Sequence, residues 1–532
     1  MKRFLTLMLT AGLLFSAANG AHAIDFKAKG MWIFGFDYAD GGNFMSKTRT
    51  GRHVNGQQWN SFRVPRDNFW AAERVNLQLE AIASESLSGT LRLEIGDMSF
   101  GDARVGGALG ADATNIIKVQ HAYLDWILPN TELKVRMGIQ PVSMPAFAFS
   151  NMVFETDVAA VVASYTFNET VALTATWMRP YNDNWQGANS PGLMDNVDLF
   201  SLVMPMRFEG VKVTPWAMAG AYGPNVARRA DNNSFFNPNP KNPNVVSPVN
   251  INAAGQPGDG LFWQEGMLPA AFSSSKQRSS VFSHEYTTVG WGGASFDLTT
   301  FSPWHFAGDF VYGTVNSDRD YLKRSGWYGT LLAEFKGEWG TPGIYGWYYS
   351  GDDSDPHNGS ERMPTVSTAN HYSNCLSSFG YRGTSGIGGG KGVLGGAPDG
   401  VWGVGGRITN MSFVDNLSHI LRVHYFGGTN DPKMASYITG RQTTDSRGRP
   451  VYRSNTDFNS PLGVYMTTAD TGIEVNFDSK YKIYDNLNVM FELGYIHLWM
   501  DDSVWGRYQN IAGNSLNYKD AWKANIVLIY AF

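Results

Sequence analysis

The chain ends Trp522-Lys523-Ala524-Asn525-Ile526-Val527-Leu528-Ile529-Tyr530-Ala531-Phe532. Its even positions carry Trp522, Ala524, Ile526, Leu528, Tyr530 and Phe532, while the polar residues Lys523 and Asn525 stand at odd ones. Side chains of a strand point alternately to opposite faces. As a strand, this segment has one apolar face with aromatic residues near its ends and a second face that begins polar. One face suits hydrocarbon and the other suits water. An ordinary buried strand is the competing reading, and recurrence of the pattern along the chain decides between them.

The pattern recurs. Phe26, Ala28, Trp32, Phe34, Phe36 and Tyr38 share one face, with Lys27 and Lys29 opposite. Val75, Leu77, Leu79 and Ala81 alternate with Arg74, Asn76, Gln78 and Glu80, and Leu91, Leu93 and Ile95 alternate with Arg92 and Glu94. Leu133, Val135, Met137 and Ile139 face away from Lys134, Arg136 and Gln140; Ile473, Val475 and Phe477 face away from Glu474, Asn476 and Asp478. Alternation of this kind predicts 18 strands, over 25–38, 68–83, 89–99, 114–128, 131–140, 157–167, 169–180, 196–208, 211–222, 286–300, 304–316, 326–338, 341–351, 401–413, 417–427, 467–480, 485–500 and 517–532. Sixteen strands is the alternative if one weak hairpin is loop.

The connections sort by length. Those after even-numbered strands are short, as at Pro129-Asn130, Asn168, Glu209-Gly210 and Gly340, whereas 39–67, 223–285, 352–400 and 428–466 are long. A soluble sandwich has no reason to sort its loops. A membrane barrel does, with short turns at one rim and long loops at the other. The predicted fold is therefore an all-β transmembrane antiparallel β-barrel of 18 strands, with long extracellular loops and short periplasmic turns. The Pro- and Asn-rich stretch 224–260 and the Gly-rich 380–400 fit outer loops and cannot form a packed core alone.

Composition agrees. Of 532 residues, 42 are Lys or Arg and 47 Asp or Glu, giving a net charge of −5. Charged residues are 17% of the chain, below the roughly 25% of soluble domains. Aromatics at 14% exclude a disordered chain, and the missing positive excess excludes a nucleic-acid binder. A single cysteine, Cys375, forms no intramolecular disulfide and no Cys-rich zinc site. Mean hydropathy below zero excludes a bundle of membrane helices.

The N-terminus supplies the address. Met1-Lys2-Arg3 precedes the apolar stretch 4–15, and small residues lead to Ala21-His22-Ala23. A basic start, a short apolar core and an A-x-A site read as a secretory signal peptide, 1–23, cleaved to leave a barrel domain over 24–532. The apolar core falls short of the about 20 residues a spanning helix needs.

A barrel of this size encloses an aqueous lumen. Connection 141–156, PVSMPAFAFSNMVFET, is mostly apolar, which is odd for a loop in water and sensible for one folded inward. It is expected to constrict the channel through Met144, Phe147, Phe149 and Glu155; a subunit contact or a poorly delimited strand is the alternative. Parity places Arg74, Arg92, Lys134 and Arg136 on the inner face, where clustered cations favour anions. Glu80, Glu94 and Asp125 share that face, and the mixture would set up a transverse field; plain solvation of the lumen is the competing role.

Other candidates are weaker. Asp352, Asp353 and Asp355 lack full calcium-loop spacing and read as a solvated turn, so no metal and no cofactor are expected. Gly388-Gly389-Gly390-Lys391-Gly392 lacks the Ser or Thr of a phosphate loop. Cys375 reads as an inert thiol in a long loop. Among the 10 histidines, His121, His419, His424 and His497 fall within strands, and none finds a catalytic partner in the sequence. An enzyme is not expected.

Taken together, the signal peptide, the opening Ile24-Asp25-Phe26-Lys27-Ala28-Lys29-Gly30, the Ala122–Trp126 segment AYLDW and the terminal Phe532 resemble the outer-membrane homotrimeric porins of sulfate-reducing bacteria. The resemblance covers the whole chain through short motifs. It implies a Gram-negative outer-membrane trimer passing small hydrophilic solutes and inorganic anions such as sulfate by passive diffusion. A last strand ending on an aromatic also resembles the assembly signal of outer-membrane barrels, which makes Phe532 the contact with the barrel-assembly machinery. Lipid and lipopolysaccharide are the expected surroundings. Small-residue faces at Ala217, Ala219 and Ala221 and at Ala159, Val161 and Ala163 offer subunit contacts or a lipid-facing wall. A substrate-specific channel or a loop-plugged structural barrel is the alternative function, ahead of a barrel lipase or protease.

Overall fold

The computed structural model describes residues 24–40, 68–102, 107–110, 116–182, 196–223, 266–267, 269, 285–366, 400–435, 442–444, 450–452, 465–501, 503–504 and 520–532. The expected signal peptide 1–23, Cys375 and the Gly388–Gly392 run lie outside the described residues.

Eighteen antiparallel strands close into one barrel. They are β1 (Asp25–Asp40), β2 (Asn68–Ser84), β3 (Leu87–Ser99), β4 (Ile117–Ile127), β5 (Leu133–Ser143), β6 (Glu155–Thr166), β7 (Ala172–Asn182), β8 (Asn196–Val203, continued by Met206–Phe208) and β9 (Val211–Tyr222). The second half is β10 (Thr287–Leu298), β11 (Trp304–Asn316), β12 (Arg324–Phe335), β13 (Thr341–Tyr349), β14 (Val401–Val414), β15 (Leu417–Gly428), β16 (Thr471–Tyr484), β17 (Leu487–Trp499) and β18 (Ala521–Ala531). Each strand pairs with its sequence neighbours, and β18 pairs with β1 from Met31↔Ala531 to Asp40↔Trp522. A small hairpin, Gln442–Thr444 with Pro450–Tyr452, stands apart from the wall.

The expected strand count, closure and loop sorting all hold. The tight turns use residues that tolerate positive φ, namely Asn130 at 60°, Asn416 at 63° and Gly210 at 68°. Pro205 lacks a donor for the ladder and falls where β8 breaks. One of the largest boundary shifts is at β16, expected from 467 and observed from Thr471. Asp470 causes it, since its carboxylate accepts from both the backbone N–H and the hydroxyl of Thr467 at 2.7 Å and holds 467–470 in a turn.

The two faces of the wall differ as the alternation requires. Trp32, Leu124, Trp126, Met137, Ile139, Phe310, Leu331 and Ile344 are among the large exposed apolar residues of the outer face. The opposite face carries Ser295, Asp309, Thr330 and Tyr345, which are buried, and segment 144–154 lies against them, so that face is internal. An outer surface of this composition is stable only against hydrocarbon, and a closed barrel leaves no unpaired strand edge there.

The main apolar core lies inside the barrel. Met144, Phe149, Met152 and Phe154 of the inward segment pack with Trp216 of β9, Trp291 of β10, Val311 of β11, Tyr328 of β12 and Trp347 of β13. Met267, Met363 and Val366 join the same core. Two sequence expectations are corrected here. The lumen is not water-lined throughout, because apolar residues on the inner faces of β9–β13 are covered by segment 144–154. Connection 352–400 is not wholly external, since 352–366 turns inward: Val366 N–H donates to Val153 O at 2.9 Å and Thr365 N–H to Gly266 O at 2.9 Å. Apolar wall positions and apolar loop positions cover each other, which removes both from water.

Candidate functional site

A solvated, charged part of the interior lies against β1–β5. Register carries one face across these strands, with Lys29 opposite Gln78, Gln78 opposite Arg92, Arg92 opposite His121 and Asp125 opposite Arg136. Arg74, Glu80, Arg92, Glu94, Asp125, Lys134 and Arg136 all fall on this face, turned from the exposed Trp32, Leu124 and Met137.

The structure gathers most of these charges into pairs. Arg74 makes a bidentate contact with Asp97 at 2.6 and 2.9 Å and lies 3.7 Å from Glu94, which also holds Lys118 at 2.9 Å. Arg136 is bidentate on Asp125 at 2.8 and 2.8 Å, its guanidinium 4.3 Å from the Tyr123 ring centre, and Lys134 approaches the same carboxylate at 3.5 Å. Glu80 meets Lys29 at 2.9 Å and accepts from Gln78 at 2.6 Å. Arg92 alone of the seven has no ion pair among the described residues. Lys480 of β16 and Arg207 of the β8 continuation are further inner-face cations without one.

Asp97 and Lys118 were not legible as partners because bulges interrupt the alternation that locates the others. The register shifts between Glu73 and Val75 on β2 and between Arg92 and Leu93 on β3. Each shift moves the following residues to the other parity. A strict even-odd count therefore mistakes Asp97 and Lys118 for outer residues.

The expected constriction residues divide. Met144 and Phe149 are buried in the internal core and Phe147 packs against it, with Phe149 meeting the Tyr345 ring edge-on at 5.6 Å. Glu155 is the first residue of β6, paired with Ser143, and stands apart from the apolar tip. The segment itself is shorter than expected, because β5 extends to Ser143. Sequence reading missed the wall groups that hold it. Asp309 accepts from the backbone N–H of Phe147 at 2.7 Å and of Ala148 at 2.9 Å, and Ser295 donates to Pro145 O at 3.1 Å. The signal was present in β11 as one carboxylate among the inner positions Ala307, Asp309 and Val311.

Arg324, fully buried, donates to the carbonyls of Arg362 at 3.1 Å and Met363 at 2.9 Å and so fixes the second inward segment. In that segment Asp352, Asp353 and Asp355 are spent on local hydrogen bonds. Asp352 accepts from Ser360 at 2.5 Å and from Tyr465 at 2.7 Å. Asp353 accepts from the Asp355 N–H and from Asn358, and Asp355 from the His357 N–H. That N–H, with the His357 ring, holds the Asp355 carboxyl below its ordinary range, whereas burial pushes the Glu361 carboxyl up. Among the described residues no group of three metal-ligating side chains converges.

The strand histidines have partners the sequence did not disclose. His121 meets Asp157 at 2.9 Å, His419 meets Ser479 at 2.8 Å, and His497 bonds Asp520. His424 lies between Glu474 at 3.0 Å and Tyr345 at 3.2 Å, with both members of the His–Glu pair fully buried. Among the described residues none of these joins serine, histidine and carboxylate in one constellation.

No protein-family model matches the chain, and no curated protein matches it. Solved structures are similar over nearly its whole length, an outer membrane channel among them. OpdO of Pseudomonas aeruginosa has 10% identity and a TM-score of 0.48, over 96% of this chain and 97% of that one. OccK9 (OpdG) of the same organism has 9% identity and a TM-score of 0.48, over 96% and 98%. The outer membrane channel DcaP of Acinetobacter baumannii has 10% identity and a TM-score of 0.38, over 96% and 97%.

Proposed function

We propose that the chain is a passive outer-membrane channel for small hydrophilic solutes and ions, with a weak preference for anions such as sulfate. The carrying observation is an 18-strand closed wall with an apolar outer face and a charged, solvent-reached inner face on β1–β5. There the side chains of Lys29, Lys118 and Lys134 remain 65%, 52% and 47% exposed, beside an interior partly filled by segment 144–154. Polar groups inside a membrane barrel that keep contact with water line an aqueous path.

Pairing restrains the expected selectivity. A bidentate Arg–carboxylate pair has no net charge, so Arg74 and Arg136 contribute mainly dipoles and fixed geometry. The anion preference rests on Arg92, Arg207 and Lys480, with Lys134 left in surplus over the neutral Arg136–Asp125 pair. Stepwise conductance of the purified protein in a planar bilayer tests the channel, and silence at every voltage rejects it. The sign of the reversal potential in a KCl gradient tests the preference. Arg92→Glu is expected to move the anion-to-cation permeability ratio by about two- to threefold toward cations, as for one charge reversed in an aqueous passage. A smaller shift than that produced by Arg74→Gln would reject Arg92 as the determinant.

The same proposal places the mature chain, after cleavage at Ala23, in the Gram-negative outer membrane among lipid and lipopolysaccharide, delivered by the assembly machinery through Phe532. A homotrimer is supported by a strip of small residues in which Ala217 faces Gly292 and Ala219 faces Gly290 across β9 and β10. Cross-linking in native membranes tests it, a monomeric ladder being the contrary result.

A further inference from the structure

We infer that Asp309 is the positioning residue that latches the constricting segment 144–154 to the wall, an inference that rests on the channel function proposed above. Asp309 sits mid-strand in β11 between Ala307 and Val311, both essentially inaccessible, and is itself buried. Isolated there, a carboxylate would be costly, because burial strips its water. It is stabilised by three donors: the consecutive N–H groups of Phe147 and Ala148 at 2.7 and 2.9 Å, and the Thr330 hydroxyl at 3.0 Å. Two consecutive backbone N–H groups turned toward one anion form a concave cradle with positive partial charge. No Lys or Arg side chain pairs with Asp309 among the described residues, so the segment supplies most of what makes the buried charge tolerable.

The dependence is mutual. The segment's tip has two backbone donors that would otherwise be buried without partners, and Asp309 accepts both. Ser295 on β10 and Tyr345 on β13 touch the same tip, Ser295 at Pro145 O and Tyr345 at the Phe149 ring. These are a neutral hydrogen bond and a ring contact. Asp309 makes the charge-assisted bonds, roughly twice as strong as neutral ones. Its carboxylate therefore sets how far the tip stands from β11, and with it the width left beside the charged wall of β1–β5.

Thiol labelling and conductance separate the possibilities. In a Cys375→Ser background carrying Ala148→Cys, a water-soluble maleimide is expected to react slowly, because Ala148 is buried. Adding D309A is expected to raise the labelling rate about tenfold or more, the scale of a lost charge-assisted hydrogen bond, and D309N less. T330V keeps both bonds to the segment and is expected to leave the rate unchanged. In bilayers D309A is expected to give larger and noisier single-channel currents than the wild type. Equal labelling in D309A and wild type overturns the latch, as does a T330V rate matching D309A. Loss of the heat-modifiable barrel in both D309A and D309N also overturns it, by making Asp309 a folding residue. A silent wild type sinks the channel function alone, because labelling still decides the latch.

Discussion

A chain ending at Asp520 is expected to yield no heat-modifiable barrel, in detergent or in membranes. Strand β18 is the closing stave. It pairs with β17 from Leu487↔Tyr530 to Ile496↔Ala521 and with β1 from Met31↔Ala531 to Asp40↔Trp522. Without it, β1 and β17 become edges whose N–H and C=O groups face hydrocarbon, at several kcal/mol for each unpaired group. The very end participates, since Gly30 N–H donates to Phe532 O at 2.8 Å and Phe532 N–H donates back to Gly30 O at 3.0 Å. Gly30 also leaves room for the terminal ring, because a Cβ there would stand 2.6 Å from it and 2.6 Å from the Asn76 carbonyl. Gly30→Val should therefore slow closure, with fewer folded molecules at a given time, while truncation removes them. Electrophoresis of unheated against heated samples measures both. Wild-type amounts of folded band from the truncated chain would show that β1 and β17 close without β18.

Glu474→Ala is expected to cost about 3–5 kcal/mol, the scale for removing one partner of a buried ion or hydrogen-bonded pair. Glu474 on β16 and His424 on β15 face each other in register and meet at 3.0 Å, with neither side chain accessible to water. Asn476 donates to the other carboxylate oxygen at 2.8 Å, and Tyr345 bonds the second ring nitrogen of His424. Alanine takes the acceptor from the buried His424 Nε2 and the Asn476 amide, close to the rings of Trp347 and Phe426. Glu474→Gln keeps an acceptor and a similar volume, so its loss should be smaller. The shift of the urea unfolding midpoint of the detergent-solubilised barrel, at unchanged slope, measures the difference. A midpoint shift under about 1 kcal/mol for Glu474→Ala would mean that water replaces the carboxylate.

These two groups mark the limit of what the sequence conveys. Alternation along β1, β2, β5 and β16 is written in neighbouring residues, because a strand wetted on one side and greasy on the other must change character at every step. The number of strands, the closure of the last on the first and the sorting of short turns from long loops followed from that period and from Asn, Gly and Pro at the turns. Phe532, Arg74, Arg92 and Arg136 could be given a face on the same basis. The inward lie of 144–154 was also legible, since an apolar loop has to leave water.

Pairing across the barrel was not written locally. Asp97 and Lys118 reach their partners through bulges that displace the period, and no local pattern announces where a bulge falls. Asp309 meets residues 147 and 148 from the far side of the lumen, and His424 meets Tyr345 from another strand. The turn of 352–366 into the interior depends on Arg324 and on Val153, both distant in sequence. A β-barrel repeats one short-range rule along every strand, so composition and parity determine the wall and its two faces. Which charges neutralise each other, and which half of the lumen is filled, are properties of side chains brought together only when the ring closes. Tertiary structure decided those, and they govern what the channel would admit.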